Sequence, residues 1–140
     1  MIILDTNVLS ELMRAQPSTQ VATWVATQIA SELFTTSITE AEIFYGIELL
    51  ATGKKKQSLL AAAEAMFAHD MGGRILVFDT DTTRAFASIA ADRRLSGKPI
   101  SHADAQIAAI AKVRKATLAT RNVSDFEDCG IKLIDPWQTS

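Results

Sequence analysis

Met1-Ile2-Ile3-Leu4-Asp5-Thr6-Asn7 opens the chain: an apolar run, then an acid, a hydroxyl and an amide. A run this short and continuous reads as a strand covered on both faces. The same pattern recurs at Leu33 to Thr36, Ile75 to Phe78, Thr117 to Thr120 and Ile131 to Ile134. Between these runs the apolar spacing turns helical. Val21, Trp24, Val25 and Ile29 follow it, as do Ile43, Ile47 and Leu50, and the Ala-rich segments 54–71, 82–96 and 103–114 also read as helices. Strands alternating with helices predict an α/β fold, a three-layer α/β/α arrangement around a central, mostly parallel sheet. Gly53 with Lys54-Lys55-Lys56, Gly72-Gly73 and Gly97-Lys98-Pro99 punctuate the chain without splitting it, so a single domain is expected over 1–140.

A chain of 140 residues, 48% hydrophobic and 21% charged, is one domain's worth and excludes fibrous and disordered classes. Its net charge of −2, from 14 basic and 16 acidic residues, denies it an all-over electrostatic grip on nucleic acid. Nucleic-acid binding would need a local basic patch. No apolar run approaches the roughly 20 residues of a membrane span, and the opening residues lack a charged n-region and a cleavage site. Cys129, the single cysteine, can form neither an internal disulfide nor a Cys-rich zinc site. A soluble, cytoplasmic protein with no membrane partner is expected.

Ligands of an open parallel sheet bind outside the carboxyl ends of its strands, so the residues after each strand matter most. Asp5-Thr6-Asn7 follow the first strand. Ser37-Ile38-Thr39 follow the second and lead into a helix carrying Glu40 and Glu42. Arg121-Asn122 and then Asp125 follow the fourth, and Asp104 opens the helix before it. Each acid also has a plain structural reading. Asp5 suits a turn or a helix N-cap. Thr39-Glu40-Ala41-Glu42 and Ser101-His102-Ala103-Asp104 both match the capping pattern [ST]-x-x-[DE]. Convergence favours a site, because carboxylates from separate βα units gathered at one edge repel, and one keeps its proton unless a cation is present. Mg²⁺ suits such oxygen ligands, while the lack of a His or Cys cluster disfavours zinc.

Four ordered motifs carry a resemblance. They are Ile3-Leu4-Asp5-Thr6-Asn7-Val8, Ser37-Ile38-Thr39-Glu40-Ala41-Glu42-Ile43-Phe44-Tyr45-Gly46, Ile100-Ser101-His102-Ala103-Asp104-Ala105-Gln106-Ile107-Ala108 and Ala119-Thr120-Arg121-Asn122-Val123-Ser124-Asp125-Phe126, with an Asp135-Pro136-Trp137 ending. The chain resembles the PIN-domain ribonucleases, specifically VapC-like toxins of bacterial toxin–antitoxin pairs. That resemblance implies an endoribonuclease that hydrolyses RNA phosphodiester bonds with Mg²⁺, or Mn²⁺ in its place. It makes Asp5 and Asp104 direct metal ligands, gives Glu42 a water or a second ion to hold, and puts the Thr6 and Ser37 hydroxyls nearby. At the family's fourth acidic position this chain has Asn122. Asp125, three residues on, supplies the missing carboxylate if the turn brings it inward, and is otherwise a solvent-facing cap.

Ile43-Phe44-Tyr45 and Ile47, Leu49 and Leu50 give more apolar surface than one buried helical stripe requires, part of it readable as plain core. The resemblance implies that such helices form a homodimer face and a groove for an antitoxin segment, the antitoxin sending a basic side chain toward the acids. Arg93-Arg94 with Lys98, and Lys112, Arg114, Lys115 and Arg121, are candidate RNA phosphate contacts or simply solvated helix faces. His69 and His102 receive no role. Two rival readings remain. An aspartate-based phosphatase using Asp5 as nucleophile would want an acid two residues later, where Asn7 stands. A non-catalytic PIN-like binding module, its acids serving as caps, is kept open by Asn122.

Overall fold

The structure is a computed structural model that describes residues 1–139; Ser140, the last position of the expected domain, lies outside them. Strands β1 (Ile2–Leu4), β2 (Leu33–Thr36), β3 (Ile75–Leu76), β4 (Thr117–Ala119) and β5 (Lys132–Ile134) form one sheet in the order β3-β2-β1-β4-β5. All its pairings are parallel, which sharpens the expected "mostly parallel". Helices α1 (Thr6–Leu12) and α2 (Thr19–Thr27) connect β1 to β2, α3 (Ser37–Glu48) and α4 (Lys54–Ala65) connect β2 to β3, and α5 (Thr83–Leu95) and α6 (His102–Arg114) connect β3 to β4.

Strand alternation sorts the core into two halves. Leu4, Leu33 and Ala119 pack with Val8, Leu9, Val21, Trp24, Ile43 and Ile47 from the first helices. On the opposite face Ile3, Leu118 and Leu76 pack with Ile89 of α5 and Ile107 and Ile110 of α6. Helix α6 also buries Ala105, Ala108, Ala109 and Ala111. With apolar residues on nearly every side, it is a core helix rather than a surface one.

Several boundaries differ from expectation. Helix α1 was not expected, because seven residues are too few to display a period. Ile29 lies beyond α2 and is 71% exposed, since Gln28 turns extended and ends the helix. The expected helix over 54–71 is α4 followed by a π-helical turn, Met66–Asp70, which buries both Met66 and Phe67. Strand β3 stops at Leu76, leaving Val77 exposed.

The chain steps from β1 outward through β2 to β3, then crosses back to lay β4 and β5 on the other side of β1. The carboxyl ends of β1 and β4 therefore flank the point where the winding reverses, the crevice in which such sheets hold ligands. Asp5 leaves β1 there and Thr120 leaves β4.

Candidate active site

Asp5 caps α1, its Oδ1 accepting from the Thr6 backbone N–H at 2.8 Å. Its Oδ2 accepts from the Thr120 hydroxyl at 2.8 Å and from Asn7 Nδ2 at 3.4 Å. The capping reading thus holds, and the same carboxylate is also sunk in the crevice, only 4% exposed. Burial pushes its pKa up, the Thr120 hydroxyl and Thr6 N–H pull it down, and the charges of Glu42 and Asp125 push it up again.

Ser101 caps α6, its Oγ accepting from the Asp104 backbone N–H at 3.1 Å. The expected cap is correct, yet Asp104 is not merely a cap. Half-buried, its carboxyl is pushed up to about 6, by burial first and then by Asp5, with Asp125 and Glu42 adding to the rise against the Ser101 hydrogen bond.

Glu42 is placed differently from its capping reading. Helix α3 begins at Ser37 and is capped by Thr36, whose Oγ1 accepts from the Thr39 backbone N–H at 3.1 Å. Glu42 therefore lies beyond the first turn, exposed, and its Oε1 accepts from the Thr6 hydroxyl at 2.8 Å. Thr6 is near the acids as expected. Ser37, at the first position of α3, shows no hydrogen bond to them among the described residues.

Asn122 is exposed and meets the site through its backbone, whose N–H donates to Thr120 Oγ1 at 3.1 Å. Asp125 is also exposed, but its charge reaches both Asp5 and Asp104. The 3₁₀ turn Val123–Phe126 carries it to that side, pinned by the Asp125 N–H donating to the Asn122 carbonyl at 3.0 Å.

Among the described residues no three Asp, Glu, His or Cys side chains close into a metal-holding cluster. The expected trio of Asp5, Asp104 and Glu42 is near enough to interact electrostatically but does not form a ready-made cage. Like charges repel, and each carboxylate has its own local donor. What remains fits a hard divalent cation, which commonly takes one or two carboxylates and fills its shell with water and substrate oxygens.

Sequence reading missed Thr120 and the positive role of Asn7. Thr120 is fully buried and binds Asp5, Asn122 and, through Asn7 Nδ2 at 3.2 Å, the start of α1. Asn7 Oδ1 in turn accepts from the Arg121 backbone N–H at 3.2 Å. Their position directly after two strand ends was the available signal. Arg93, read as a possible phosphate contact, is buried and bonds backbone carbonyls instead. His102 lies edge-on to Phe86, 5.8 Å between ring centroids.

Beside Thr6 and Glu42 runs a groove of about 940 Å³, lined by Met13 just after α1, Ile43, Ile47 and Leu50 around α3, and Leu59 of α4. Tyr45 and Leu49, 66% and 69% exposed, project from the same helical region.

The PIN domain family matches residues 2–130. The chain is 38% identical over 138 residues to the VapC ribonuclease Y4jK of Sinorhizobium fredii, covering 99% of each. It is similar to the crystal structure of FitAcB from Neisseria gonorrhoeae, with a TM-score of 0.92 and 38% identity over 99% of this chain and 100% of that one. A member of the VapBC family of toxin–antitoxin systems from Mycobacterium tuberculosis, VapBC-5, aligns with a TM-score of 0.70 and 25% identity over 95% of this chain and 96% of that one. The family match spans the acids and the strands that bring them together, and the chain belongs to the PIN domain family.

Proposed function

We propose that this protein is a divalent-metal-dependent endoribonuclease and the toxin of a cytoplasmic toxin–antitoxin pair. The feature that carries the reading is the gathering of Asp5 and Asp104 at the switch-point crevice, where burial first and the Asp5 charge second push the Asp104 carboxyl up to about 6. Two carboxyls kept from ionising easily in one cleft are what a cation relieves. Asp5 and Asp104 would hold Mg²⁺ or Mn²⁺, with Glu42 and Asp125 beside them. When bound, the metal would supply charge neutralisation at a phosphodiester and activate water for in-line attack.

The chain's own groups do the rest. Thr120 and the Thr6 N–H fix the Asp5 carboxylate in one orientation. The Thr6 hydroxyl holds Glu42 by Oε1, leaving Oε2 free to accept a proton from water. Asn122 orients Thr120 through its N–H, a role its amide side chain does not need to share. An Asp5 nucleophile, as in a phosphatase, has little support, because both its oxygens already accept hydrogen bonds and Asn7 stands as a donor where a second acid would be needed.

The apolar groove beside Glu42 suits an amphipathic antitoxin segment whose basic side chain reaches the acids. The exposed Tyr45 and Leu49 suit a homodimer face. RNA cleavage in Mg²⁺, with and without a chelator, tests the enzymatic reading. Cleavage should vanish on chelation and in Asp5→Asn, and calorimetry should show Mg²⁺ binding lost in the same variant. Cutting that survives either change sinks the proposal; metal binding without cutting would make the protein a binding module.

A further inference from the structure

Arg93 of α5 is 6% exposed, and no carboxylate lies within ion-pair distance of it among the described residues. Burying a guanidinium costs free energy that only good hydrogen bonds can offset. Arg93 spends its donors on backbone. Nε donates to the Lys98 carbonyl at 2.7 Å, and Nη1 donates to the carbonyls of Asp125 and Glu127 at 2.9 Å each, with Cys129 Sγ 3.6 Å away.

These anchors matter for what they carry. Lys98 lies in the turn that leads to the Ser101 cap and Asp104. Asp125 and Glu127 lie in the turn after β4, whose 3₁₀ segment Val123–Phe126 otherwise has only short-range backbone bonds, Asp125 N–H to Asn122 O at 3.0 Å and Glu127 N–H to Ser124 O at 3.5 Å, although the Arg121 N–H ahead of it donates to Asn7 Oδ1 and Phe126 is buried in the core. One planar, permanently charged fork thus ties two site-bearing turns to helix α5, a task a point-charge ammonium cannot copy.

We propose that Arg93 is a positioning residue for the active site: by clamping the Asp125 and Glu127 carbonyls it holds the Asp125 carboxylate in the field of Asp5 and Asp104. The inference rests on the proposed reading that Asp125 belongs to the metal site. It also makes the turn and the metal reciprocal, since whatever order of the turn does for metal binding, metal binding must do for the order of the turn.

Cys129, the single cysteine and buried beside Arg93, is a natural reporter, because its thiol reacts only when the turn opens. In the parent protein Mg²⁺ should slow Cys129 labelling by a disulfide reagent, by about threefold or more. Arg93→Lys should speed labelling about tenfold, weaken Mg²⁺ binding measured by calorimetry, and lower kcat with little change in KM for RNA. In Arg93→Lys/Asp125→Asn the losses in Mg²⁺ affinity should fall well short of multiplying, since both changes act on one carboxylate. Fast labelling with parental Mg²⁺ affinity and kcat in Arg93→Lys, or fully multiplying losses, overturns the proposal. If that variant does not fold, the parent decides alone: labelling indifferent to Mg²⁺ refutes it. Parental metal affinity and rate in Asp125→Asn would instead refute the underlying reading of Asp125, whatever Arg93 does.

Discussion

Asp5 serves as helix cap and buried acid at once, and the two roles separate cleanly. Asn caps a helix about as well as Asp. Asp5→Asn keeps the oxygen that caps α1 but sets an NH₂ where Oδ2 accepts from Thr120 and Asn7, so cleavage should be lost while stability changes by no more than about 1–2 kcal/mol, the lost acceptor being offset in part by removal of a buried charge, as unfolding and an RNA assay would show together. Asp104 gives a pH prediction. Its carboxyl stays protonated in the fold up to about 6 but ionises in the unfolded chain near 3.8, so between these values the native state holds the extra proton. Stability contributed by this group then falls as pH rises through that window and levels off above it. In metal-free buffer the Tm of Asp104→Asn should gain on the parent from pH 4 to 6 and hold that gain above; a gap independent of pH would contradict the assignment. The acids themselves were legible in the sequence because each falls at or soon after a strand end or a helix start. The side chains that orient them were not, since Thr120 and Asp5 are 115 positions apart and only the folded sheet makes them neighbours. Arg93 misled for a related reason: next to Arg94 on a polar helix it looked solvated, and tertiary packing alone buries it.

Helix starts decide what the elements present to the crevice. Thr36 caps α3 from the end of β2 and thereby sets Glu42 beyond the first turn, facing Thr6. Thr36→Val keeps the shape, leaves the Thr39 N–H without its acceptor in a buried site, and should cost about 1–2 kcal/mol in chemical denaturation. No loss would mean that the cap is dispensable. The sequence pointed to Thr39 as that cap because its spacing to Glu42 fits the pattern; the strand's own last residue does the job instead. Strands and long helices were otherwise readable from periodicity. Helix α1 and the π turn at 66–70 were not, because a seven-residue helix shows no full repeat and a π turn follows no 3.6-residue rule.

At the scale of the whole molecule, the alternation of strands and helices was enough to give three layers, while strand order was hidden in the sequence. Order depends on where the third connection crosses, and nothing local records that. The exposed Tyr45 and Leu49 carry the last prediction. The parent should sediment as a dimer at micromolar concentration and Leu49→Asp as a monomer; a monomeric parent removes the dimer face from the proposal. The pairing of β1 with β4 has a temporal consequence as well. A nascent chain emerging from its ribosome presents Asp5 well before the strand that seats it, because Thr120 follows 115 positions later and the turn that bears Asp125 comes after that. Domains settle as units once enough of them has appeared. The seat of Asp5 is therefore completed only once β4 and the turn after it have been made, so that a translation product truncated before them, even one holding both Asp5 and Glu42, lacks the Thr120 hydroxyl that orients Asp5.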